Sequence, residues 1–366
     1  MIAPVLQIPV IGMEVEQFLV LLITALAGGA FGAALGALPA FIFTGFVVFL
    51  GEGVAILQRE ITGEVEAVPA GELAAGITGV IGFGAITGPH IAFAGGVAAT
   101  AYAGRKYPEM EPDGWDYHFG KNILYAFGTK PDILAVGAIF GALGMLITRL
   151  GNAIFVVGGT AATDFIAFSV FATAFIARAA FGYPIVGKAA GSSMLDMSPF
   201  EREEMRSAAD GGAQTDGGTA KARLATEPWL PHQYKWGGVA TIGVVGGLLA
   251  GYIYIQTGSI FLGYAISAMS LLFLNLGVEK IPVTHHITLI GSVGAVVAMP
   301  LGGELVALLV AGLFGALSGL FGELTQRLFY SHSGTHVDPP AMAIAIMMLF
   351  VVILSLAGVL PNAGYL

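Results

Sequence analysis

Apolar residues in this chain come in long runs separated by short polar stretches, and the length of the runs is the first structural signal. Read against the roughly 17–25 residues that a helix needs to cross a hydrocarbon core, they predict ten spans. These lie near 17–37, 39–57, 84–104, 132–149, 158–181, 237–256, 259–277, 283–301, 304–327 and 338–360. Membrane strands would alternate over segments of about 10 residues, and that pattern is absent. Residues 17–57 are read as two spans, since one helix of that length would reach about 60 Å at 1.5 Å per residue. The apolar stretch 73–86 is too short to cross, and Gly88-Pro89 interrupts any helix running through it. A re-entrant or broken segment is expected there.

The basic residues test that count, because Lys and Arg gather in cytoplasmic loops. Thirteen fall in the odd-numbered loops, and only Arg59 and Arg149 in the even ones. This predicts a multi-pass protein of the cell membrane with both termini external. The N-terminal stretch has no basic segment and carries Glu14 and Glu16, so the first span is expected to act as an uncleaved insertion signal.

Composition agrees with the pattern. Apolar residues make up 56%, charged ones only 11%, and the mean hydropathy is +0.83, which excludes a water-soluble globule of this length. The 54 glycines sit mostly inside the apolar runs, where they let backbones approach. The absence of cysteine excludes disulfides, iron–sulfur clusters and thiolate metal sites. A net charge of −9 argues against nucleic acid as a partner. The expected partners are the lipid bilayer and a small-molecule or ion substrate, and a homo-oligomer is compatible with the sequence.

The spans divide at a polar stretch, 191–236, whose DGGAQTDGGT core has little to bury and is expected to be a flexible cytoplasmic linker. The halves on either side, 1–190 and 237–366, share four matches in the same order. Ile42–Phe46 matches Ile260–Tyr264 at an offset of 218, and His90-Ile91 with Gly95, Val97 and Ala99 matches His286-Ile287 with Gly291, Val293 and Ala295 at 196. Phe140–Leu143 matches Phe314–Leu317, and Asp164 with Ala167 matches Asp338 with Ala341, both at 174. Five spans per half would invert the second half relative to the first. The expected fold is an all-α polytopic membrane protein of about ten transmembrane helices in a 5+5 inverted repeat, an architecture whose site lies at the repeat interface.

Within that frame the ionisable residues of the apolar runs are the candidates. His90 and His286, with His285 beside the latter, stand at matched places, each just after a Pro or Gly that can start a helix and expose N–H groups. Each could instead hold the bundle together through a bond to a neighbouring carbonyl. Thr87 and Thr284 fit ligand contact or plain capping. Asp164 and Asp338 form a second pair, and Asp338-Pro339-Pro340 also reads as a helix start with proline at its first position. Thr160, after Gly158-Gly159, and Thr335, after Gly334, mark expected unwound points whose oxygens could coordinate a cation. His332, His336 and Asp338 have a spacing that could grip a metal, although Pro339 argues against a helix there.

These features predict an integral membrane permease, a secondary transporter of a small solute or ion. The alternative is a passive channel with paired pore histidines. An intramembrane metal-dependent enzyme is third, since P-loop, HExxH and GxSxG patterns are all missing. No enzymatic activity and no cofactor are expected.

Overall fold

The computed structural model describes residues 7–62, 76–206 and 223–366. The linker core at 210–219 and the first residues of the 73–86 stretch lie outside the described residues. The chain forms α1 (Val15–Leu35), α2 (Ala37–Thr62), α3 (Ala94–Lys106), α4 (Pro131–Ile154), α5 (Phe165–Ala180), the short α6 (Ser198–Glu201), α7 (Trp236–Thr257), α8 (Leu262–Asn275), α9 (His285–Thr325) and α10 (Pro339–Leu356). The sheet among the described residues is one hairpin, β1 (Val156–Val157) with β2 (Thr160–Ala161).

Six helices, α1, α2, α4, α7, α9 and α10, are long and apolar enough to cross a membrane, where the sequence pattern predicts ten spans. The difference has identifiable causes. α5 and α8 are apolar but only 16 and 14 residues long. α3 has 13 residues and is extended at its start by a π-helical turn, Pro89–Phe93. The eighth and ninth predicted spans are the two parts of α9, 41 residues in all, which breaks at a kink after Pro300 where Gly302 and Gly303 have non-helical backbone.

The outer faces are apolar. On α9, Leu305, Leu309 and Leu313 form an exposed stripe at helical spacing, 69%, 61% and 56% accessible. Such a stripe is stable against lipid, not water. Inside, glycines set the approach of the helices. α1 packs on α4 where Gly29 meets Gly137 and Gly141, and α7 packs on α9 where Gly247 meets Ala311 and Gly315. α2 packs on α8, joining the two halves, with Gly45 against Ala268.

The connections collect at two ends. At one end Gly36 lies under Leu124 and Tyr125, Arg105 reaches Gly182 O, and Arg178 reaches Thr335. Arg327 bonds Leu195 O and Tyr234 O there, and Gln233 bonds Val283 on both its backbone groups. Residues 107–130, 182–206 and 223–235 thereby build a cap. At the other end Arg59 bonds Thr257 O, and Tyr365 bonds Asp164.

Candidate substrate cavity

Between the halves lies a cavity of about 1290 Å³. Exposed Glu16 and Gln17, near the start of α1, mark its mouth together with Arg149 and Asn152 at the end of α4. At the opposite end Trp229 and buried Leu230 from the cap close it, and the backbone N–H of Trp229 is tied to Gln326.

Four of the nine residues singled out from the sequence line this space: His90, His285, Asp164 and Asp338. His90 sits in the π-helical turn ahead of α3, and its carbonyl fits against Gly144 of α4, where no Cβ stands in the way. His285 opens α9, its ring centroid 4.6 Å from Phe41 and 5.8 Å from Tyr264. Both imidazoles are 6% exposed, and the Nδ1 of each is buried without a hydrogen-bond partner. Asp164 and Asp338 are also helix caps. Asp164 accepts from Ala167 N, and Asp338 from Ala341 N, at 2.9 Å in both cases. The capping role and a place on the cavity wall coincide, because a helix that starts at the wall puts its cap there.

The other five lie elsewhere. His286, expected in the site, points behind the wall toward Gly322, and its carbonyl accepts from Ser318 at 3.0 Å. Adjacent helical residues face about 100° apart, so only one of the two histidines can line the cavity. Thr87 donates to Ile81 O, and Thr284 precedes α9 without making a side-chain cap. Thr160 belongs to β2, and the glycines before it, with φ of +62° and +85°, form the tight turn of the hairpin. Thr335 accepts from Arg178 at both its hydroxyl and its carbonyl, 2.8 Å each, so the guanidinium already occupies the oxygens expected to coordinate a cation. His332 is bonded to Met194 O and His336 to Asp338. Among the described residues no three His, Asp or Glu groups are placed to hold a metal ion.

Sequence reasoning missed the cap. Glu227 is fully buried, with Lys121 Nζ 2.8 Å from one oxygen and His118 Nδ1 2.6 Å from the other. Burial lowers the pKa of His118 despite Glu227, so at neutral pH the ring is neutral and donates its Nδ1–H. Burial opposes charge on Glu227, but His118 and Lys121 outweigh it and hold the carboxyl well below the usual range. Burial also pushes Lys121 down to about 8 from its ordinary 10.5. Between those values the unfolded chain binds more protons than the folded one, so Lys121 makes stability rise with pH from about 8 to about 10.5. Melting curves across that interval are expected to show the rise in the wild type and to lose it in Lys121→Met. No local motif announces this cluster, since its members meet only through the fold.

Six helices long and apolar enough to cross a membrane, with exposed leucines on their outer faces, fit a multi-pass α-helical membrane protein. It belongs to the family described as a family of unknown function (DUF7973), which matches residues 10–366. No curated protein and no solved structure matches it.

Proposed function

We propose that the protein is a permease, a secondary transporter of a small solute or ion, whose cavity is the substrate site. It is built from two inverted five-span halves, 1–190 and 237–366, with both termini outside the cell and the cap in the cytoplasm. α9 counts as two spans broken at Gly302–Gly303, and the short helices α3, α5 and α8 complete the ten.

The observation that carries this reading is a three-glycine node repeated in the two halves. A Cβ on Gly95 would come 2.5 Å from Gly29 O, and one on Gly141 2.6 Å from Gly29 Cα. In the second half a Cβ on Gly291 or on Gly315 would come 2.7 Å from Gly247 Cα. Gly29 with Gly247, Gly95 with Gly291 and Gly141 with Gly315 stand at the same offsets, 218, 196 and 174, as the sequence matches. His90 O against Gly144 and His286 O against Ser318 repeat the relation, and so do the two aspartate caps. A cavity between inverted halves, open at one end and closed at the other, supports alternating access. Closure by Trp229 and Leu230 of the cap favours a permease over a continuously open channel.

The test is uptake. Vesicles containing the purified protein, incubated with a mixture of small metabolites and ions, are expected to gain at least one solute saturably over empty vesicles. Passage that never saturates would make the protein a channel. No uptake of any solute would overturn the transport reading.

A further inference from the structure

The charges on the cavity wall are one-sided. Besides Glu16 and Arg149, which mark the mouth, the acidic and basic side chains lining the cavity among the described residues are Asp164 and Asp338. Asp164 accepts from Ala167 N and from the Tyr365 hydroxyl at 2.6 Å, and Asp338 from Ala341 N and His336 Nε2 at 3.2 Å. Neither carboxylate is ion-paired to a Lys or Arg among the described residues. Each carboxylate still has lone pairs to offer. A second observation points independently to a ligand: His90 and His285 are more than nine-tenths buried on the same wall, each with an unpartnered Nδ1.

Among the apolar residues of the wall is an aromatic cluster. Phe41 and Tyr264 meet edge to face at 6.0 Å, Phe83 lies tilted 5.1 Å from Phe261 and 5.6 Å from Tyr264, and Phe261 lies 5.3 Å from Tyr365. Aromatic faces attract cations, most strongly where water is excluded. Two of the helix starts at the cavity, those of α5 and α10, already carry the carboxylates of Asp164 and Asp338, which disfavours an anion beside them. A volume of about 1290 Å³ is of the size of organic-ligand sites, not of a cage for a bare ion.

We infer that the cavity takes an organic ammonium ion, its charge held by Asp164 and Asp338 and its apolar body laid against the aromatic wall. This rests on the proposal that the cavity is the substrate site, and it names the substrate class.

The test uses the full chain purified in mild detergent, with phenethylammonium and tetraethylammonium as probes and 2-phenylethanol and 3-phenylpropanoate as the neutral and anionic counterparts of the first. A ligand that binds the folded state stabilises it by RT ln(1 + [L]/Kd), so the melting temperature climbs with the logarithm of ligand concentration above Kd. Both ammonium ions are expected to raise it with that concentration dependence, and the counterparts are not. Asn caps a helix about as well as Asp, so Asp164→Asn and Asp338→Asn remove charge while keeping the fold. Each is expected to weaken the apparent Kd for the ammonium probes about tenfold or more. Equal stabilisation by 2-phenylethanol, undiminished binding in both Asn variants, or no stabilisation by either ammonium ion would overturn the inference. Binding with no uptake of any solute into vesicles would sink the permease reading and leave the cation site standing. Uptake of some other solute with no cation binding would do the reverse.

Discussion

Glu227→Gln is expected to destabilise the protein by about 3–5 kcal/mol, the range for removing one partner of a buried ion pair. The side chain is 0% exposed, it neutralises Lys121, itself 2% exposed, and it accepts from His118. Glutamine fits the space and can still bond the imidazole, but it leaves the ammonium of Lys121 buried beside the ring of Tyr330, 4.4 Å from its centroid, with no counter-charge. Adding Lys121→Met to the same chain should recover much of the loss, because the penalty comes from the uncompensated charge and not from the missing pair. Unfolding followed in mild detergent checks both. A single variant that melts within a degree of the wild type would mean that the cap does not bury this pair.

Valine at Gly29 and valine at Gly247 are expected to be damaging to a similar degree, by about 1–3 kcal/mol or more, the usual cost of overpacking. Even a Cβ would come within 2.2 Å of Gly137 O in the first case and 2.3 Å of Ala311 O in the second. Backbone cannot rotate away as a side chain can, so α1 and α4, or α7 and α9, would have to separate. Gly238 supplies the control: it lies in α7 with nothing within 4 Å of a Cβ, and alanine there should be neutral or slightly stabilising. Melting temperatures of the three variants decide the matter. A large loss at Gly29 with none at Gly247 would break the equivalence of the two nodes.

What could be read from the sequence was what local chemistry dictates. Run lengths gave the helical membrane class, Gly88-Pro89 marked the broken entry to α3, and Asp338-Pro339 marked the start of α10. The matches of Gly95 with Gly291 and of Gly141 with Gly315 could be read because no larger residue fits at those close approaches. Span lengths could not, since the β1–β2 hairpin takes up the start of the run that becomes α5, and α8 ends before Gly277, whose φ is +86°. The choice between His285 and His286 depends on the rotation of α9 against Phe41 and Gly322, which no periodicity of an all-apolar helix fixes. Gly158-Gly159 looked the same as an unwound span and as a hairpin turn until β1 and β2 paired. Lys121 and Glu227 read as ordinary loop charges because the partner of each is more than a hundred residues away.

The central claim is that one cavity serves both faces of the membrane in turn. A single cysteine in place of Ile344, which lines the cavity in a chain with no cysteine of its own, tests it with membrane-impermeant thiol reagents applied to either side of oriented vesicles. The account predicts labelling from the α1-start side and, as the protein interconverts, from the cap side as well. It also predicts that joining positions 111 and 223, where Glu111 now pairs with Arg223, by a short bifunctional reagent abolishes only the cap-side labelling. Labelling from one side alone, with or without that link, would make the cavity a closed-ended pocket and contradict the account.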